Sequence, residues 1–238
     1  EGRSDAPTYI YIDEEHAEIR SAEHVWGKST QETVDVLLED TNKKVGIACI
    51  GPAGEKQLNL ASVVNDKNHS LGRAGLGSVM GSKNLKAVVV FGNVKTEVPD
   101  KEGFKKANSE WRNFIGDAPL TKDALKEFGT PALVKIINQC GGFATRNFQQ
   151  GHFVDYDSIS GETIKELYYD KSAPCKSCPI ACSHLTKTET KKGKGPEFET
   201  VWSLGPACGV NDLESIVLGN YHGNETGSNT ISTGATNA

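Results

Sequence analysis

The sequence lacks any apolar run approaching the ~18 residues that a membrane helix needs, and its longest, Ala87 to Phe91, is strand-sized. It also lacks a basic surplus. Its 26 basic and 31 acidic residues leave a formal net charge of −5, which argues against nonspecific binding to nucleic acid or to an anionic membrane surface. The N-terminal EGRSDAPTYIYID has no basic region followed by an apolar core, so no signal peptide is expected. No segment repeats at a fixed period. The chain opens at Glu1 without an initiator methionine and closes on GNETGSNTISTGATNA with no element to seal it. Both ends read as cut, and a fragment of a longer protein is expected. The 238 residues suit one or two domains, and roughly 70% or more of the unfolded surface can be buried without disulfides.

Glycine is abundant, at 25 residues, about a tenth of the chain against a usual ~7%. Cysteine occurs six times, at 49, 140, 175, 178, 182 and 208. Three of these lie within eight residues and no secretory leader precedes them. Metal chemistry in a reducing, cytoplasmic compartment is therefore the better reading than a disulfide framework.

Local patterns predict an α+β chain. Thr8 to Ile12 is a β-rich run, Asp13-Glu14-Glu15 a polar turn, and His16 to Arg20 a return strand. Ser29-Thr30-Gln31-Glu32 is a capping box opening a helix with Val34, Leu37 and Leu38 on one face. Lys44 to Ile50 and Lys86 to Phe91 read as buried strands. A boundary falls in the polar stretch from Gly92 to Pro99, giving a mixed α/β part over 1–93 and a largely helical domain over 94–238. In the latter, helices are expected over Asp100 to Phe114, Ala124 to Phe128, Pro131 to Gln139 and Ser160 to Tyr169, and a charged loop over Lys187 to Gly195.

Two segments carry chemistry. Cys175-Lys176-Ser177-Cys178-Pro179-Ile180-Ala181-Cys182 has the spacing C-x2-C-x3-C, with which one compact turn aims several thiolates at neighbouring irons. A zinc site stays open, although it needs a fourth ligand, and His184 is too close to Cys182 for a normal pairing. A four-iron cluster also takes four cysteines, the fourth being Cys208, Cys140, Cys49 or a residue outside the chain. The second segment runs from Gly72 to Lys86, GRAGLGSVMGSKNLK, after Gly51-Pro52-Ala53-Gly54. Its backbone suits either a phosphate nest, with Arg73 and Lys83 adding charge, or a tight turn with close packing. It matches neither the dinucleotide fingerprint nor a P-loop.

In order along the chain, EGRSDAPTYIYI at 1–12, IGPAGEKQLNLASVVND at 50–66, GRAGLGSVMGSKNLKAVVV at 72–90, GTPALVKIINQCGGFATRNFQ at 129–149, CKSCPIAC at 175–182, GPEFETVWSLGPACGVNDLE at 195–214 and GNETGSNTISTG at 223–234 resemble the aldehyde ferredoxin oxidoreductase family. The resemblance implies a tungsten (or molybdenum) ion between two pterins, a 4Fe-4S cluster, oxidation of small aldehydes to carboxylates, and ferredoxin as electron acceptor. A homodimer stays open. Residues 1–93 would be the later part of the pterin-supporting base, and 94–238 the second domain. The resemblance assigns Cys175, Cys178 and Cys182 to the cluster, with the fourth ligand in a third domain. It brings Arg73, Ala74 and Gly75 to the pterin phosphates, with Mg²⁺ between them, and Lys83 to the same cofactor by its charge. It makes Glu199 the active-site carboxylate, with Glu197 as a second candidate two residues away. The segment Asn224-Glu225-Thr226-Gly227-Ser228-Asn229 stands where the family carries a pterin motif, Asp/Asn-x-x-Gly-Leu-Asp, and assigns Asn224, Gly227 and Asn229 to it. Ser228 and Asn229 depart from that pattern, which keeps open an alternative of another class: an iron–sulfur electron-transfer or structural module without pterin chemistry. Arg146-Asn147-Phe148 either lines the substrate side or packs as a loop with Arg146 in an ion pair. Without an alignment to a partner, Glu197 and Glu199 also read as first-turn carboxylates at a helix start.

Overall fold

A computed structural model describes residues 2–41, 44–67 and 69–238. Glu1, which opens the first segment quoted above, lies outside the described residues. The fold is α+β, and the chain divides into two compact units, Glu1–Val94 with His222–Thr233, and Lys95–Tyr221 with Gly234–Ala238. Among the described residues no helix is long and apolar enough to cross a membrane.

The first unit is built on a six-stranded sheet. Strands β1 (Thr8–Ile12) and β2 (Ala17–Ser21) form the hairpin expected from the alternating sequence. Helix α1 (Thr30–Thr41) follows, then β3 (Gly46–Cys49), α2 (Pro52–Glu55), β4 (Val63–Asn65), β5 (His69–Leu71), α3 (Leu76–Ser82) and β6 (Leu85–Val90). The strand order is β2-β1-β6-β3-β4-β5, with β1 and β6 parallel and the other pairs antiparallel. The capping box forms as the sequence predicts: Glu32 N donates to Ser29 Oγ at 3.2 Å and Ser29 N to Glu32 Oε2 at 2.9 Å. The Ser29 hydroxyl, donating to Glu32 Oε2 at 2.7 Å, and then the Ser29 N–H hold the Glu32 carboxyl below the ordinary glutamate range. Their support is therefore complete above that range and is lost as acid takes the pH down through it. Val34 and Leu37 are buried in the core with Tyr9, Tyr11, Ile47, Cys49 and Val89, whereas Leu38, expected on the same face, is exposed. Helices α2 and α3 touch backbone to backbone. A Cβ on Gly81 would stand 1.8 Å from the Gly54 carbonyl oxygen, so only glycine fits there. These glycines serve the close packing that was one of the two readings of the segment.

The apolar strand β6 hides a charge. Lys86 is wholly buried, and its ammonium donates to Glu55 Oε1 and, at 3.0 Å, to the Lys28 carbonyl. Glu55 in turn accepts Gly27 N with both oxygens, at 3.0 and 2.9 Å. Both charges are thus compensated, the condition for burying an ion pair. Lys86→Met is expected to destabilise this unit by about 3–5 kcal/mol, because it leaves an uncompensated carboxylate. Chemical denaturation would read this as a lowered midpoint. The double variant with Glu55→Met should recover most of the loss, and a single variant as stable as the parent would refute the account.

The second unit carries α4 (Lys101–Asp117), capped by Asp100 Oδ1, which accepts Gly103 N at 2.8 Å. After a π turn over Leu120–Ala124 come α5 (Leu125–Phe128), α6 (Leu133–Gln139) and α7 (Gly161–Tyr168), the last capped by Ser160. A three-stranded antiparallel sheet of β7 (Tyr169–Ser172), β8 (His184–Lys187) and β9 (Lys192–Lys194) comes next, then α8 (Phe198–Leu204). Helices α9 (Leu213–Thr226) and α10 (Thr230–Asn237) close the chain, with residues His222–Thr233 belonging to the first unit. The charged loop expected over 187–195 is instead mostly hairpin. Thr188 turns the chain by accepting Lys191 N at 3.0 Å, Lys192 pairs with Asp170 at 2.6 Å, and Gly193 lies on the buried Tyr221 ring, so packing overrides the polar composition. The core of this unit joins Val134, Phe143, Ile159, Ile164, Val201 and Val217.

Candidate cofactor and active site

In the second unit, the cysteine segment is a loop between β7 and β8. Cys178 N donates to the Cys175 carbonyl at 3.0 Å, closing a tight turn. Ser177 and Ala181, each directly before a cysteine, take positive φ of 63° and 55°. Residues other than glycine adopt that region at a steric cost, so the loop is held to a shape that reverses direction before each of these thiols. Of the three cysteines on this loop, Cys175 is exposed, and Cys178 and Cys182 are half-buried. Burial pushes the Cys182 thiol up, and the nearby Glu197, Cys178 and Cys175 push it further. Cys182 therefore feels the charge of the other two sulfurs, and a bound cation would oppose that effect. Among the described residues no three His, Cys, Asp or Glu side chains converge on one metal ion. A zinc ion needs its ligands all within about 2.3 Å. A cluster attaches each thiolate to a different iron.

The other thiols have other surroundings. Cys49 is buried in the sheet unit, its pKa pushed up to about 12 by burial. Cys208 donates to the Ser203 and Gly234 carbonyls at 3.3 and 3.4 Å. Cys140 is exposed at the end of α6. A cavity of about 20 Å³, room for one water, lies at Cys182, Gly129, His184 and Glu197. His184 contacts the Lys126 carbonyl through Nε2 at 3.1 Å, and burial lowers its pKa.

The two candidate carboxylates differ in their contacts. Glu197, at the cap position of α8, accepts Thr130 Oγ1 at 2.5 Å and pairs with Lys194 at 3.0 Å. It thereby ties β9 to the 130–132 turn. Glu199, in the first turn of α8, is exposed. Trp202 follows one turn later, with Nε1 donating to the Ala144 carbonyl at 2.7 Å.

In the first unit, Ala74 and Gly75 have successive positive φ of 69° and 66°, just before α3. Arg73 beside them is exposed. Lys83 lies at the other end of α3, where its ammonium donates to the Gly2 carbonyl at 2.9 Å. The structure thus brings Arg73, Ala74 and Gly75 together but sets Lys83 apart. The 224–229 segment folds with this same unit. Asn224 offers its carbonyl to Thr30 Oγ1 at 2.8 Å, and Gly227 takes φ 71° and accepts Ser62 N at 2.8 Å. Asn229 is buried, and its Oδ1 caps α10 by accepting Ser232 N at 2.7 Å. Its Nδ2 lies 3.0 Å from where a Cβ on Gly72 would stand, so it reaches the start of the glycine-rich segment. The two distant segments that the resemblance assigns to one cofactor are therefore neighbours.

The chain is thus an α+β protein in which a glycine-packed sheet unit is joined to a largely helical unit bearing a loop of three thiols. The model of the aldehyde ferredoxin oxidoreductase N-terminal domain matches residues 1–92, and that of domains 2 and 3 matches residues 106–238. The chain belongs to the aldehyde ferredoxin oxidoreductase family. It is 43% identical over 238 residues to a tungsten-containing aldehyde ferredoxin oxidoreductase of Thermococcus kodakarensis, covering 99% of this chain and 39% of that protein. It is 27% identical to the WOR-like subunit of an aliphatic sulfonate oxidoreductase of Pyrococcus furiosus, covering 98% and 40%. Among solved structures, the active-site complex BamBC of benzoyl coenzyme A reductase superposes with a TM-score of 0.81 at 26% identity, covering 98% of this chain and 37% of that one. The chain therefore spans about two fifths of the length of the curated relatives that it matches.

Proposed function

We propose that this chain is the part of a tungsten-pterin oxidoreductase that holds the pterin and three of the four cluster thiolates. The whole protein oxidises aldehydes to carboxylates and passes the electrons to ferredoxin. The observation that carries this reading is the one loop that presents cysteines 175, 178 and 182, bent by left-handed Ser177 and Ala181. Family membership supports it. When bound, the tungsten-pterin centre supplies a two-electron oxidation and the 4Fe-4S cluster one-electron transfer.

The residues of this chain do the remaining work. Cys175, Cys178 and Cys182 bind as thiolates and release their protons on assembly. Arg73 and the amides of Ala74 and Gly75 bind phosphate oxygens, with Mg²⁺ as the counter-ion. Asn224, Gly227 and Asn229 shape the pterin side. Conversion of an aldehyde and water to a carboxylate sheds protons along with two electrons, and Glu199 accepts one of those protons. Glu197, already bound to Thr130 and Lys194, holds the start of α8 in place beneath it.

One observation favours a second reading, a cluster module without pterin chemistry: Asn229 uses its carbonyl oxygen to cap α10. Metal analysis of the purified full-length protein separates the two. Tungsten together with iron, and a broad visible absorbance that bleaches with dithionite, is the expected result. Iron without tungsten selects the second reading, molybdenum changes the metal, and zinc alone overturns both.

A further inference from the structure

Arg146, Asn147 and Phe148 have φ of 47°, 51° and 65° in succession. This is a stretch of left-handed helix made without glycine, a conformation that L residues take singly and at a cost. Such a turn persists only where its surroundings over-determine it. They do so here. Thr145 is buried and forms a bridge with Gln150, its N–H donating to the Gln150 carbonyl at 2.8 Å. Arg146 N and Asn147 N donate to the Pro206 and Ala207 carbonyls, each at 2.9 Å. Among the described residues Arg146 forms no ion pair, the packed-loop alternative raised by the sequence.

The product of this strained turn is an outward-facing ring. Phe148 is 71% exposed, so the core gains little from it. Its ring stands edge-on to Trp202, with centroids 5.8 Å apart at 67°. Trp202 lies three residues after Glu199 on α8, and residues at that spacing share a helix face. An aromatic corner, with Phe148 exposed and Trp202 half-buried, therefore begins one turn from the carboxylate assigned to the proton.

We infer that Phe148 and Trp202 form the specificity wall for the substrate, receiving an apolar and preferentially aromatic substituent of the aldehyde. This rests on the proposed function of Glu199. The chemistry follows from ring geometry: a T-shaped pair leaves a ring face and edge open to a third ring at the 4.5–7 Å spacing that aromatic groups favour. A small aldehyde such as acetaldehyde has no ring to make such a contact.

The test uses the cofactor-loaded protein from its complete reading frame, with phenylacetaldehyde and acetaldehyde as probes. Phe148→Ala is expected to lower the phenylacetaldehyde-to-acetaldehyde ratio of kcat/KM by about tenfold, carried by KM. Phe148→Tyr, which keeps the ring, should restore the ratio. Because Phe148 is on the surface, its truncation leaves both cores intact. Independently, the product phenylacetate should change the tryptophan fluorescence in the parent and not in Trp202→Phe. An unchanged ratio in Phe148→Ala overturns the inference, as does a fluorescence response that survives in Trp202→Phe. If the loaded parent oxidises neither aldehyde, the proposed function fails, and the phenylacetate response alone decides whether the aromatic wall exists.

Discussion

Replacing Glu199 by Gln in the loaded, full-length enzyme is expected to lower turnover at least ~10²-fold while tungsten and iron contents stay at parental levels. A positioned side chain that takes a proton in the transition state typically contributes 10²–10⁴-fold, and an amide cannot take that proton. The contrast with Glu197 gives the expectation its force. Glu197 is bound by Thr130 and Lys194, and its carboxylate joins separate elements of the second unit. Glu197→Gln should therefore lower the melting temperature and leave most of the turnover. Glu199 is exposed in the first turn of α8, where a carboxylate is available to a substrate. Full turnover in Glu199→Gln with intact metal removes that residue from the mechanism. The large loss appearing in the Glu197 variant instead would move the assignment by two residues.

The second large effect concerns iron. Serine at 178 or 182 is expected to abolish the dithionite-bleachable absorbance and strip the protein of most of its iron, because a serine hydroxyl gives up its proton far less readily than a thiol and is a poor substitute for a thiolate ligand to iron. Serine at 49 or 208 should leave the iron in place. Cys49 is an inert core thiol, and Cys208 is occupied by two carbonyls. Burial and neighbouring negative charge both raise the Cys182 thiol in the metal-free chain. Cys182 is therefore disfavoured as a bare thiolate, and a bound cation would favour that form. Iron measured by plasma emission, normalised to protein, checks this directly. Parental iron in Cys178→Ser and Cys182→Ser together would break the cluster assignment.

Much of the architecture was readable from local pattern. The β-branched runs at β1, β3 and β6 and the Ser29–Glu32 box are short-range signals, and they form where expected. A candidate site was readable only where its donor residues are neighbours in sequence, as in CKSCPIAC. What escaped depends on partners far away. Lys86 reads as the polar edge of an apolar strand, yet its counter-ion Glu55 is 31 residues off and the pair is buried. The β8–β9 hairpin is masked by lysines and depends on Tyr221 and Asp170 to fold. Lys83 was grouped with Arg73 by proximity in sequence, but helix α3 separates them by its whole length. The left-handed turn at 146–148 carries no glycine to announce it, and its hydrogen-bond acceptors lie about sixty residues downstream.

The joining of His222–Thr233 to the sheet unit has a consequence for biogenesis. Ser62 N donates to the Gly227 carbonyl, Asn229 N donates to the Leu60 carbonyl, and Thr30 reaches Asn224 across 194 positions. A nascent chain emerging from the ribosome has made every strand of the six-stranded sheet long before these closing contacts are synthesised, and must thread out an entire helical unit in between. At a typical ~5–20 residues per second, that wait lasts several seconds or more, with main-chain groups at Leu60 and Ser62 still exposed to water or to a chaperone.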